Sequence, residues 1–484
     1  MDLISLSRVL SYWAERKANE LAVVLEESGI SWRELDLRTN RLARAFSELG
    51  VKQESFVTIA LPYGFEFVEA CFATWKLGAT PQPVSHRLPK LERDAIVDLA
   101  KPALVVGAAD SDLSYPQVSI GFEPDGALSD GPLEERTSSR VKAVTSGGST
   151  GRPKLIVMPV PAVWDMSYKN LTVPHESVVL VPGPLYHNGP FMWMVSALCQ
   201  GNTTVLMRRF DAEKALCLLE QYKVEDVYMV PTMMHRIWSL PSTTRARFDL
   251  SALRSLIHKA GPCPGWLKDA FINWLGPEVR WEFYVGTEGQ GGTLISGSEW
   301  LKHRGSVGKP LSHMGEIKVF DDEGNELPPG EVGEIYMRPA GGPGSTYTYV
   351  GAASRQLHDG WESLGDMGSF NEDGYLYLAD RRTDMIVSGG SNIYPAEVEA
   401  VIESFPGVRS CAVIGLPNED MGNVVHAIVD APSAQLSQDV LLDFLRQHLV
   451  TYKLPRSFEF GSEPLRDDAG KVRRTALREA RMQC

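Results

Sequence analysis

Short β-branched runs alternating with stretches of helical periodicity are the feature of this sequence that most narrows its fold. Strands separated by helices pair in parallel, and a parallel sheet has to be covered on both faces. Ser31 and Glu34 have the spacing of a capping box, and Leu35, Leu42, Phe46 and Leu49 then recur at helical intervals until Gly50. A strand-like SFVTIALP follows, then a helix from about Phe65 to Leu77 that Gly78 ends. The same rhythm returns at TTVLMRRF, in a helix from Ala212 to Tyr222 and at VEDVYMVP, so residues 20–310 are expected to form an α/β region of doubly wound sheets.

From Gly315 the texture changes. GEIKVFDDEGNELPPGEVGEIYMR alternates like strands around turn chemistry, which predicts an antiparallel hairpin or small β-barrel subdomain over about 315–380. Beyond it, a helix beginning at Pro395, a strand at CAVIGLP and a helix from about Asp439 to His448 make a smaller α+β unit. The expected division is an N-terminal domain over 1–380, a linker at 381–384 and a C-terminal domain over 385–484.

Charge removes several classes of function. The chain has 48 Lys and Arg against 61 Asp and Glu, a formal charge of −13, which disfavours nucleic acid and anionic membranes as partners. No stretch has the ~18 uninterrupted apolar residues of a membrane span. The N-terminus lacks a basic leader and reads as an amphipathic helix with Leu6, Val9, Leu10 and Trp13 on one side, so a cytoplasmic location is expected. Six cysteines, none in a C-x-x-C arrangement, point to neither a disulfide framework nor a zinc site.

The strongest local signal is Thr145-Ser146-Gly147-Gly148-Ser149-Thr150-Gly151-Arg152-Pro153-Lys154. Glycines let the backbone approach an anion, and hydroxyls and cations supply further donors to phosphate oxygens. It is not a Walker loop, because no Gly-Lys-Ser/Thr ends it and the LIVMP that follows is strand-like.

Together with five further segments, this loop resembles the acyl-adenylate-forming enzymes, the family of acyl- and aryl-CoA ligases, peptide-synthetase adenylation domains and luciferases. The segments are YVGTE at 284–288, WESLGDMG at 361–368, DRRTDMIVSGGSNIYPAEVE at 380–399, TYKLPR at 451–456 and DDAGKVRRTALR at 467–478. They stand in the family's order over nearly the whole chain. The resemblance implies ATP, Mg²⁺ and CoA as cosubstrates and metal, a small-molecule carboxylic acid as substrate, and a mobile C-terminal domain; a homodimer is compatible with it. Thr145, Ser146, Gly147, Gly148, Ser149, Thr150 and Lys154 are then the phosphate loop. Tyr284 stacks on adenine, with Ala260, Gly261 and Pro262 on its other side. Glu288 is the Mg²⁺ ligand, a hard oxygen donor suited to that ion, and Thr287 donates to the α-phosphate. Asp366 accepts from the ribose hydroxyls, and Arg381 contacts ribose and phosphate. Lys471 is implied as the catalytic lysine bridging carboxylate and α-phosphate, where developing negative charge needs a cation away from water.

The resemblance also makes 381–384 a hinge, serving two half-reactions at one site, and brings Gly389 and Gly390 to the pantetheine tunnel. Thr383 departs from the acidic or lysine residue usual at the hinge, which bears on hinge energetics. Val285 replaces a usual glycine and bears on the shape of the adenine or acyl pocket.

His187, in PLYHNGPF, resembles the family's gate beside the carboxylate. Asn188 stands where amino-acid-activating relatives carry Asp, which argues for an acid without an α-amino group. Phe191, Met192, Trp193, Met233 and Met234 are expected as walls of the acyl pocket, with Gly289, Gly291 and Gly292 opening space for a bulky apolar acid. PLYHNGPF, VPTMMHRIW and HKAGPCP most resemble the bile-acid and steroid CoA ligases, a branch that also takes polycyclic terpenoid acids. The expected activity is an ATP-dependent acid:CoA ligase. The alternatives are an enzyme that loads a carrier protein's phosphopantetheine and, further off, a non-catalytic acyl-nucleotide binding protein.

Overall fold

A computed structural model describes the chain except for residues 1, 109–112, 148–152, 169–174, 383, 389–390, 419, 433–435, 467–470 and 483–484. The local sequence signals act where they were expected. Ser31 and Glu34 form a reciprocal capping box at the start of helix Trp32–Glu48, and Gly50 leaves it at a positive φ of 98°. Helix Phe65–Lys76 ends before Gly78, and helix Leu6–Arg16 buries Leu6, Val9, Leu10 and Trp13.

The main sheet has a parallel heart in which strands Arg280–Val285, Ser255–His258, Asp226–Met229, Val178–Val181, Thr203–Leu206 and Leu21–Leu25 lie side by side. A second sheet pairs Phe56–Ile59 in parallel with Thr80–Pro83 and Leu104–Val106. Helices between these strands fill the space with a shared apolar core that includes Trp75, Phe191, Leu198 and Phe271.

The strands after Gly315 are antiparallel, as their turn chemistry requires: Gly315–Phe320, Gly333–Pro339, Glu362–Phe370 and Leu376–Arg381 pair in succession. They run on from the main sheet, because Leu376–Arg381 also pairs with Ser306–Pro310 across a register shift at Gly308. Gly308 has φ of 103° and lies against the Leu294 carbonyl, so a side chain has neither the conformation nor the room there. A third, three-stranded sheet joins Thr348–Val350, Pro153–Met158 and Lys142–Gly147.

Residues beyond 385 pack around a core of their own, with Ile386, Ile393, Val398, Val413, Val425 and Leu441 at its centre. Helix Pro395–Glu403, the hairpin Ser410–Asn418 and Gly422–Asp430, and helix Gln438–Arg446 surround it. No described helix is long and apolar enough to cross a membrane.

Candidate active site

In an open parallel sheet, loops leaving the carboxyl ends of the strands converge, and ligands bind there. Four of the expected site segments leave four neighbouring parallel strands in this way. His187 follows Val178–Val181, Met233 and Met234 follow Asp226–Met229, Ala260 follows Ser255–His258, and Tyr284 to Glu288 end Arg280–Val285.

The third sheet presses against this edge. Lys142–Gly147 and Pro153–Met158 form an antiparallel hairpin in which Gly147 pairs with Pro153. The side chains of Ser146 and Gly147, and all of Gly148, Ser149, Thr150, Gly151 and Arg152, lie outside the described residues. Thr145 ends the described side chains of this strand with its Oγ1 buried and without a hydrogen-bond partner among the described residues. Tyr349 is in register with Ile156, which carries it across to Glu288.

Three polar side chains meet there. The Tyr349 hydroxyl donates to Glu288 Oε1 at 2.6 Å, Lys154 Nζ lies 3.8 Å from the same oxygen, and that ammonium stands 3.8 Å above the Tyr349 ring. Burial, and then the Glu288 charge, push the Tyr349 hydroxyl well above its ordinary pKa, so it stays a donor. Glu288 Oε2 carries no hydrogen bond among the described residues. Mg²⁺ is commonly held by one or two carboxylates together with substrate phosphates, and this buried carboxylate beside Lys154 suits that arrangement. Among the described residues no cluster of three or more metal-ligating side chains exists.

A second polar pair links strand Arg280–Val285 to strand Glu362–Phe370. The Tyr284 hydroxyl donates to Asp366 Oδ2 at 2.8 Å, and Asp366 is in register with Arg381, whose side chain is not described. Thr287 is half-buried in the turn between Val285 and Glu288. Ala260 holds a left-handed φ of 73°, which is uncommon for a residue with a Cβ. Beside it, Gly261 and Pro262 face Glu403, Ser410 and Arg466 of the C-terminal unit across a narrow cleft. Arg466, on this cleft, bridges to Val472, and the side chain of the adjacent Lys471 is exposed. Thr383, Gly389 and Gly390 lie outside the described residues. Their neighbours are anchored in opposite directions: Arg382 bonds Asp322 at 2.7 Å and Glu334 at 2.9 Å, whereas Asp384 accepts from Arg474 at 2.9 Å.

The expected acyl walls divide. His187 is the N-cap of helix Asn188–Cys199, its ring 4.5 Å from that of Tyr186. Met192 is half-buried, while Met233 and Met234 are buried on helix Pro231–Trp238. Trp193 faces Tyr228, with ring centroids 5.6 Å apart. Phe191 instead points the other way and is packed between Phe67 and Trp75. Successive helical residues are rotated by about 100°, so three in a row cannot share one face. Gly291 lies against Ile317 and Met337 of the antiparallel strands, and Gly292 against Phe283 and Met314. Gly289 has φ of 69° and faces Thr346.

A buried lysine, Lys142, and a half-buried one, Lys259, went unnoticed in the sequence. Lys142 donates to Asn188 Oδ1, and burial, reinforced by Lys259, lowers its pKa to about 7. Lys259 immediately precedes Ala260, and its pKa falls to about 8 through burial. The only local signal was position: each stands within three residues of a recognised motif.

Residues 10–350 match the model of the AMP-binding enzyme family and residues 397–471 that of the AMP-binding enzyme C-terminal domain. A feruloyl-CoA synthase from an Amycolatopsis species is 32% identical over 97% of this chain and 98% of its own. A long-chain-fatty-acid–CoA ligase, FadD13, from Mycobacterium tuberculosis is 28% identical over 93% of each. The o-succinylbenzoate CoA synthetase of Bacillus subtilis, solved with its acyl-adenylate intermediate, shares the fold, with a TM-score of 0.83 at 24% identity over 99% of this chain and 98% of that one. The hairpin of Lys142–Gly147 and Pro153–Met158, the acidic turn at Glu288 and the separately cored C-terminal unit therefore belong, in this chain, to a member of the AMP-binding enzyme family and of its acid–thiol ligases.

Proposed function

We propose that this enzyme is an ATP-dependent acid:CoA ligase acting on a bulky, largely apolar carboxylic acid of steroid, bile-acid or terpenoid type. The observation that carries the reading is the meeting of Lys154, Glu288 and Tyr349 at the strand ends beside the phosphate-loop hairpin. In the first half-reaction a carboxylate oxygen bonds to the α-phosphorus of ATP while the bond to the bridging oxygen breaks, giving acyl-AMP and pyrophosphate. In the second, the CoA thiol attacks the acyl carbon, AMP leaves, and the thiol proton passes to solvent.

Each residue has a part in this scheme. Lys154 and Thr145 hold phosphate oxygens; Tyr284 and Asp366, already locked together, fix adenine and ribose, with Arg381 on the adjoining strand. Thr287 donates to the α-phosphate. Glu288 holds Mg²⁺, which when bound offsets phosphate charge. His187 guards the carboxylate, and Lys471 enters through the cleft for adenylation. The hinge at 381–384 is supported by its anchors, since Arg382 is tied to the large domain and Asp384 to Arg474 of the small one. Turning about Thr383 then exchanges Lys471 for Gly389 and Gly390 at the thiol entrance.

The test is acid-dependent pyrophosphate release, with and without CoA, over benzoic, medium-chain, long-chain, bile and diterpenoid acids. Multiple turnover that requires CoA is the expected result. Release indifferent to CoA would transfer the reading to a carrier-protein acceptor, and silence on all acids would favour a binding protein. Lys471→Ala should abolish acyl-AMP formation while largely sparing thioester formation from supplied acyl-AMP; equal loss of both would remove that lysine from its role.

A further inference from the structure

Lys142 and Lys259 lie together beside helix Asn188–Cys199, which carries the expected acyl wall Trp193, and no carboxylate pairs with either among the described residues. Lys142 reaches a neutral amide, Asn188. Lys259 stands against three aromatic faces, Trp193 at 5.3 Å, Tyr228 at 5.5 Å and Phe283 at 5.4 Å. It is half-buried and retains accessible surface, as a group lining a pocket does. The acid on the same wall, Asp226, is engaged by Trp193 Nε1 at 2.8 Å, and burial raises its pKa to about 7.

The Tyr228 hydroxyl adds an independent sign. Tyr228 is fully buried, and its hydroxyl has no hydrogen-bond partner among the described residues. It sits against Gly189, where a Cβ would also come within 3.3 Å of Lys259 Cε, so the glycine keeps the space between them open. Gly189 is in the first turn of helix Asn188–Cys199, which no side chain caps. The groups that converge are therefore donors: two ammonium groups, a phenol and the amide end of a helix. A buried donor or cation without an acceptor is unfavourable, and a ligand oxygen anion would relieve all of these at once.

We propose that these groups form the distal recognition point of the acid pocket, and that the true substrate carries, besides the carboxyl group that is activated, a second carboxylate held by Lys259 and the Tyr228 hydroxyl, with Lys142 behind them. The proposal rests on the ligase reading for the identity of the pocket and narrows its substrate to bulky acids with a second anionic end.

Matched pairs test it: decanoic against decanedioic acid, and 4-phenylbenzoic against biphenyl-4,4′-dicarboxylic acid. In pyrophosphate release with CoA, each diacid should exceed its partner in kcat/KM by tenfold or more. Lys259→Met should lower the diacid's kcat/KM at least tenfold more than the monoacid's. Tyr228→Phe, which removes only an unpartnered hydroxyl and so should fold normally, should reduce the diacid preference severalfold. Preference for the monoacids, or equal loss on both in Lys259→Met, would overturn the proposal. If no acid releases pyrophosphate the ligase reading fails, and calorimetric titration of the same acids decides separately. Tighter diacid binding that Lys259→Met removes supports the site, while equal or absent binding refutes it.

Discussion

Glu282 is one carboxylate between two buried cations, and removing its charge should cost more than any single hydrogen bond in the molecule. Its Oε2 accepts from Lys268 Nζ at 2.5 Å and from Arg280 Nη2 at 3.2 Å. Lys268 is 4% exposed and Arg280 0%, and Trp300 packs on both. Burial alone would raise the Glu282 pKa, but Lys268, then His258 and Arg280, pull it from 4.5 to about 2. At about 1.4 kcal/mol per pH unit, that depression is worth about 3 kcal/mol. Leaving buried cations unpaired is independently expected to cost about 3–5 kcal/mol.

Glu282→Gln should therefore lose about 3–5 kcal/mol at pH 7. The sign with pH follows from the lowered pKa: the contribution is complete above about pH 4.5 and disappears as pH falls toward 2. Urea unfolding followed by tryptophan fluorescence at pH 7 and pH 3 is the suitable assay. For 484 residues the same loss moves Tm by only about 3–5 °C. A deficit under about 1 kcal/mol at pH 7, or a variant that loses as much stability as the wild type between pH 7 and pH 3, would refute the reasoning.

Asp226 runs in the opposite direction. Its pKa is raised to about 7, so the folded state loses stability as pH rises from about 4 to 7, and Asp226→Asn should gain about 1 kcal/mol on the wild type between pH 6 and pH 8 in the same unfolding assay. An advantage that does not change with pH would count against this. Phe191→Ala should cost about 3–5 kcal/mol, since the ring is completely buried against Phe67 and Trp75, while the order of preference among acids stays the same. A changed acid preference would return Phe191 to the pocket wall. Tyr349→Phe removes a charge-assisted hydrogen bond from Glu288 and should slow pyrophosphate release by about tenfold, most at limiting Mg²⁺; an unaltered Mg²⁺ dependence would separate Tyr349 from that carboxylate.

What the sequence makes legible is whatever depends on neighbours in the chain. The Ser31–Glu34 box, the strand after Lys154 and the antiparallel turn of strands beyond Gly315 each follow from a few adjacent residues. The Tyr349 contact with Glu288 does not, because a sheet register delivers it across 61 residues. Lys142, Lys259 and Tyr228 come from three strands or strand ends, and nothing in any one segment marks them as sharing a space. Phe191 and Trp193 show a related difficulty: composition made both apolar walls, but helix phase sends one into the core and the other toward Tyr228.

The strand pair that flanks the expected phosphate loop also has an electrostatic consequence. With Gly147 paired to Pro153, the described residues on both sides of the expected phosphate loop are strands, and neither flank presents a helix N-terminus to the nucleotide. Attraction for the triphosphate then comes from discrete charges such as Lys154, which mobile ions screen over about 8–10 Å at 0.1–0.15 M salt. The affinity of this enzyme for ATP should accordingly weaken with rising ionic strength, and the adenine recognition proposed for Tyr284 and Ala260 should not.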